Sequence, residues 1–269
     1  MQSMSKQANA IRLNVLNMTH RANASHIGSC LSIADLLAVL YFGEMKVDPA
    51  DPSWNNRDRF ILSKGHAAAA VYACLAMRGF IPTSDLDTYG ADGSQYMTHI
   101  SHKIPGVEFS SGSLGHGLPF AVGKALALKS NLTVRVFALL SDGELDEGSN
   151  WEALMFAAHH KLCNLIVIVD YNKLQSLDTT ERTLGLEPLV AKFTAFGANV
   201  VEVDGHDHIA IGNAFMQATS QVCKPTVILA HTTKGKGVSF MENKVEWHYK
   251  SPNAEQLLIA TQELEKSYA

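Results

Sequence analysis

The segment 165–170, LIVIVD, restricts the fold more than any other: five apolar residues in succession, four of them β-branched, closed by an aspartate. A run with no polar face suits a strand covered on both sides, the situation in a parallel sheet under helices. Similar runs occur at 59–62, 133–140, 199–203 and 226–230. Between and around them lie stretches with helical periodicity, at 6–23, 32–42, 66–78, 118–129, 150–161, 208–220 and 254–269. Strands alternating with helices predict an α/β fold, a doubly wound and mainly parallel sheet. With 269 residues, 46% of them hydrophobic, the chain can fill one full core, and residues 1–269 are expected to form a single domain. The span 81–111, rich in Gly, Pro and polar residues, reads as a loop too long to be idle.

Net charge is −4 and no run of Lys or Arg is long enough to follow a phosphate backbone, so neither nucleic acid nor an anionic membrane is an expected partner. Residues 1–10 are polar and lack the apolar core of a signal peptide, and no apolar stretch reaches the roughly 20 residues of a membrane span. A soluble, cytoplasmic protein is expected. Cys30, Cys74, Cys163 and Cys223 are widely spaced, form no CxxC, and read as reduced thiols.

In doubly wound sheets, ligands bind outside the carboxyl ends of the strands. The polar strand tips here are SKGH, SDGE, DYNK, DGHDH and HTTKGKG. Asp142 in SDGE and Asn172 in DYNK stand thirty residues apart at the ends of successive strands. If those strands are neighbours, a carboxylate and an amide oxygen converge, which are the hard donors that Mg²⁺ or Ca²⁺ prefers. Gly143 would let a phosphate approach the backbone, and the helix opening near Gly148 would aim N–H groups at it. The plain alternative is an acidic glycine turn followed by an asparagine turn. His206 and His208 have a spacing that suits metal ligands but read as structural, as do His20, His159 and His160. Residues 234–237 (KGKG) lack Walker spacing and read as an exposed positioning loop.

The Asp142 to Asn172 pattern resembles the thiamine diphosphate signature Gly-Asp-Gly followed by Asn about thirty residues on, with Ser141 in place of the first glycine. The longer stretch SDGELDEGSNWEALMFAAHHKLCNLIVIVDYNKLQ is similar to transketolases, as are RFILSKGH at 59–66, PGVE and GSLGHG within 105–117, and GKGVSFME through Trp247-His248. The resemblance covers nearly the whole chain. It implies that Asp142, Asn172 and the Leu174 carbonyl hold a metal, Mg²⁺ with Ca²⁺ or Mn²⁺ as substitutes. That ion would bridge the diphosphate of thiamine diphosphate. It further implies cofactor contacts from Gly143, Glu144, Gly112, Ser113, Leu114, His66 and His248. His26, His66, His99 and His248 would face the substrate and the reacting carbon, where imidazole can bond sugar oxygens and move protons near neutral pH.

Transketolases of this kind normally add a pyrimidine-binding domain and a small C-terminal domain. The resemblance here is to the first domain alone, so the expectation is a split enzyme. A separate C-terminal transketolase subunit would carry the pyrimidine-binding domain, and the two together would act on sugar phosphates as a dimer of heterodimers. The chain alone is expected to be inactive. The rival expectations are another thiamine diphosphate enzyme, such as a 2-oxo acid decarboxylase or dehydrogenase component or a deoxyxylulose-phosphate-type synthase, and an inactive regulatory paralogue. Arg57, Arg59 and Arg182 fit either substrate recognition or structure.

Overall fold

The computed structural model describes residues 4–131, 133–220 and 223–266. Five strands form one sheet: β1 Arg59–Leu62, β2 Val136–Ser141, β3 Leu165–Tyr171, β4 Asn199–Asp204 and β5 Thr226–His231. Their order is β1-β2-β3-β5-β4 and every pairing is parallel. The doubly wound expectation therefore holds, with one difference at β2. Residues 133–135 precede the strand instead of opening it: the Arg135 carbonyl still accepts from Arg59 N–H, but its own N–H is taken by the Asp58 carboxylate, and its side chain binds Asp58 and Glu44.

Pleating sends alternate residues to opposite layers. Phe60, Leu62, Phe137, Leu139, Ile166, Ile168 and Ile228 enter the core beneath the amino-terminal helices α1 Met4–Arg21, α2 Ile27–Leu31, α3 Ala34–Val39 and α4 Ala68–Arg78. Ile61, Val136, Ala138, Leu140, Val167, Val169, Val227 and Leu229 enter the other, under α5 Gly117–Ala127 and α6 Gly148–His159. A short helix α7 Thr180–Thr183 and α8 Leu189–Ala195 follow β3; α9 His208–Thr219 joins β4 to β5, and α10 Ala254–Lys266 packs on α1. The last residues of the helix expected over 254–269 lie outside the described residues.

The helix expected over 32–42 is the shorter α3 followed by a wide turn at Leu40–Glu44, and a separate short helix, α2, precedes it. Helix α2 begins early, directly after His26, whose φ of 75° lies in the left-handed region. That conformation costs a side-chain-bearing residue on the order of 1 kcal/mol. It is held by the His26 N–H, which donates to the His248 carbonyl at 2.7 Å. Among the described residues no helix is long and apolar enough to cross a membrane.

Candidate active site

Because the sheet is parallel, the ends of β1, β2, β3 and β5 open on one side. Ser141 is level with Asp170, and Asp170 with Ala230. Asp142 and Asn172 are thus delivered from adjacent strands to one cavity of about 260 Å³. The turn after β1 adds Lys64 and His66, and the segment before α2 adds His26. The long 81–111 loop contributes His99, and the segment after β5 contributes Lys234 and His248. The loop reaches in because Gly65 lies against it: a Cβ there would stand 2.1 Å from the Ser111 carbonyl oxygen.

The four histidines predicted to act together do meet. Ring centroids lie 5.0 Å apart for His26 and His66, 5.6 Å for His26 and His99, and 5.0 Å for His26 and His248. Burial, then the charges of His99, Lys234 and Lys64, lowers His26 to about 4. Burial, then Lys234, His26 and Lys64, lowers His248 to about 3. Burial, then Lys64, lowers His66 well below the usual imidazole value, and burial lowers His99. These rings are neutral near pH 7 and are suited to exchange hydrogen bonds with a polyhydroxy ligand.

Beneath them lies a buried polar network that the sequence did not announce. Lys64 is fully buried, with its ammonium donating to the Ser29 carbonyl at 3.1 Å and paired with Asp170. Asp170 also accepts from the hydroxyls of Ser32 and Thr232 and from Asn172 Nδ2 at 3.0 Å. Burial would push the Asp170 carboxyl up, but Lys64 and the two hydroxyls hold it below its ordinary value. Since Asn172 Nδ2 is bound by Asp170, Oδ1 is fixed as the acceptor that receives the Leu174 N–H at 3.1 Å.

Asp142 is 1% exposed; Oδ1 accepts from Gly143 N–H at 2.7 Å and Oδ2 from Lys173 N–H. Burial, then the Asp170 charge, pushes its carboxyl up to about 7. A divalent cation would offset that unfavourable charge. Carboxylate, amide and carbonyl oxygens from Asp142, Asn172 and Leu174 are the hard donor set for one. These residues fit the metal that the resemblance implies. Among the described residues there is no group of three or more His, Cys, Asp and Glu side chains that could hold another.

Some expectations do not survive in place. Glu144 does not line the cavity: its carboxylate turns inward to the Ser63 hydroxyl and the Gly115 N–H at 2.9 Å, tying β1 to the loop before α5. Ser113 is exposed and also stands outside, whereas Gly112, Leu114 and Gly143 line the cavity. Gly148 opens α6 away from it, beside the Ser149 hydroxyl that bonds the Gly115 carbonyl. Lys234, expected in an exposed loop, is 1% exposed because two carbonyls and His248 satisfy its ammonium. His206 and His208 bind Asp35 at 2.8 Å each, so their spacing serves a buried ion cluster with Arg12. Arg57 pairs with Glu108 and Arg59 bonds the Asn55 carbonyl, so these two arginines are structural, whereas Arg182 is exposed and meets Asp178 only at the surface. Cys30 and Cys74 are buried, Cys163 is half-buried and Cys223 is exposed, all unpaired. A larger cavity, about 830 Å³, adjoins the site along Asn172–Leu174 but contains none of the four histidines and no Asp142.

A parallel α/β sheet whose strand tips share a polar, imidazole-lined cavity belongs to the broad class of ligand-binding enzyme domains. Residues 3–264 match the family described as transketolase, thiamine diphosphate binding domain. The chain is 43% identical, over 98% of its length and 96% of the relative's, to the 6-deoxy-6-sulfo-D-fructose transketolase subunit SqwG of Clostridium sp. (strain MSTE9). It is also 43% identical, over 97% of its length and 95% of the relative's, to an apulose-4-phosphate transketolase subunit of Actinobacillus succinogenes. The crystal structure of Campylobacter jejuni transketolase superposes with a TM-score of 0.93 at 33% identity, over 98% of this chain and 43% of that one. The chain belongs to the transketolase family. It spans less than half of the length of that solved transketolase and nearly the whole length of the two bacterial subunits.

Proposed function

We propose that this chain is the diphosphate-binding subunit of a split transketolase, in which a two-carbon ketol unit passes from a ketose to an aldose. The observation that carries the reading is the convergence of Asp142 and Asn172, from neighbouring strands, on the cavity that gathers His26, His66, His99 and His248. Residues 1–269 would act as one domain. A second polypeptide would supply the pyrimidine-binding and C-terminal domains, the active form being a dimer of heterodimers. The relatives named as transketolase subunits, of nearly the same length, support this arrangement. Four unpaired cysteines accord with a cytoplasmic location.

Thiamine diphosphate, when bound, supplies the electron sink for breaking and making the carbon–carbon bond. The residues of the chain do the rest. Asp142, Asn172 and the Leu174 carbonyl would hold Mg²⁺. Gly143, whose lack of a side chain keeps the backbone open beside Gln175, would admit a phosphate. Leu114 and Gly112 would wall the cofactor ring, and the neutral histidines would bond the hydroxyls and carbonyl of the sugar. The burial of His66 would keep water from the reacting centre. The two relatives equal in identity are named for different sugars, so the donor proposed is a class: a ketose carrying a terminal anionic group, phosphate or sulfonate.

The test is ketol transfer between phosphorylated sugars, measured for the chain alone and with its candidate partner, in Mg²⁺ and thiamine diphosphate. Activity is expected only in the combination. Full turnover by the chain alone, or CO₂ release from pyruvate instead of ketol transfer, would overturn the reading.

A further inference from the structure

Lys234 stands inside the cavity, yet none of the roles above uses it. Its side chain is buried, and three acceptors surround Nζ: the Leu174 carbonyl at 3.1 Å, the Gln175 carbonyl at 3.2 Å and Nδ1 of His248 at 3.0 Å. An ammonium group has three N–H donors and no lone pair. Three donors facing three acceptors leave His248 one arrangement: Nδ1 presents its lone pair, and the single ring proton is on Nε2. An imidazolium is excluded while this contact persists, because both of its nitrogens are donors.

We propose that Lys234 is a positioning residue that locks His248 in the Nε2–H tautomer, so that His248 serves the reaction as a hydrogen-bond donor to a substrate oxygen and not as a base. Nε2 bonds no protein group among the described residues, and the ring lines the cavity, 5.0 Å from His26 and 5.8 Å from His66 between centroids. The backbone is fixed as well, since the His248 carbonyl accepts from the strained His26. The same ammonium holds the Leu174 carbonyl, the expected metal ligand. Its two lone pairs allow it to keep Lys234 while bonding a metal. One cation thus links the metal loop to the imidazole that meets the sugar. Only the identity of the acceptor, a sugar oxygen, rests on the function proposed above.

The direct test needs no turnover. Nuclear magnetic resonance of the full chain, labelled with ¹⁵N in its histidine rings and assigned with His248→Gln, reads which nitrogen carries the proton near pH 6.5, where Lys234, lowered to about 8 by burial and then by Lys64, is an ammonium. The expected result is a protonated Nε2 and an unprotonated Nδ1, with both tautomers populated in Lys234→Met. A protonated Nδ1 in the unmodified chain would overturn the tautomer lock, leaving the transketolase reading untouched. In the assembled enzyme, His248→Gln keeps a donor near the Nε2 position but has no basic nitrogen, whereas His248→Ala lacks both. The glutamine variant is expected to retain about tenfold more kcat/KM than the alanine variant, the worth of one hydrogen bond. Equal losses would overturn the donor role.

Discussion

Replacing Lys64 by methionine tests the polar foundation of the site. Methionine has nearly the length of the lysine stem and leaves no large void, so the change removes mainly the ammonium. What remains is the Asp170 carboxylate, fully buried, with the Ser32 and Thr232 hydroxyls and Asn172 Nδ2 as its donors among the described residues. Breaking one side of a buried ion pair costs about 3–5 kcal/mol, chiefly for the stranded charge. At roughly 2–4 °C per kcal/mol for a chain of this size, the melting temperature should fall by about 6–20 °C. Adding Asp170→Asn removes the stranded charge and should restore part of the loss. The double variant would then be more stable than the sum of the singles by about 2 kcal/mol. Calorimetry or circular dichroism of the four chains measures this cycle. Additivity within about 0.5 kcal/mol, or a Lys64→Met chain as stable as the parent, would refute the pairing.

Three further outcomes concern other groups of the site. His26 and His248 have folded values of about 4 and 3, below the usual 6.5, so the unfolded chain binds more protons as pH falls through 6.5, and stability is lost toward pH 4. Asp142, raised to about 7, acts in the opposite sense between pH 7 and its ordinary value near 3.8. Asp142→Asn should therefore make the loss between pH 7 and 5 steeper in urea titrations, and parallel curves would contradict this. Glu144→Ala strands the Ser63 hydroxyl and the Gly115 N–H, and should cost about 2–4 kcal/mol in the same assay; a loss under about 1 kcal/mol would show that Glu144 does not tie these segments.

The strands were legible because a strand buried on both faces must be a continuous apolar run, as at β3. The convergence of Asp142 with Asn172 was legible because both sit where such runs stop. The ion network was not. Lys64 and Lys234 look like ordinary solvated lysines in their own segments, and their acceptors come from distant ones: Ser29 and Asp170 for Lys64, Leu174, Gln175 and His248 for Lys234. Apolar periodicity carries no trace of such long-range satisfaction. The inward turn of Glu144 escaped for a similar reason, since only the folded approach of Ser63 and Gly115 satisfies its carboxylate once buried. The signal available for Lys64 was its neighbour His66, at the same strand tip.

In the function proposed, one divalent ion held by Asp142, Asn172 and the Leu174 carbonyl would secure the diphosphate of the cofactor. Titration calorimetry of thiamine diphosphate onto the chain assembled with its partner, with Mg²⁺ and after removal of metal by EDTA, tests it most directly. Binding should require the ion and should weaken by at least about 100-fold in Asp142→Asn, the upper end of the cost of losing even an outer-shell partner. Equal affinity without metal, or in the variant, would contradict the account.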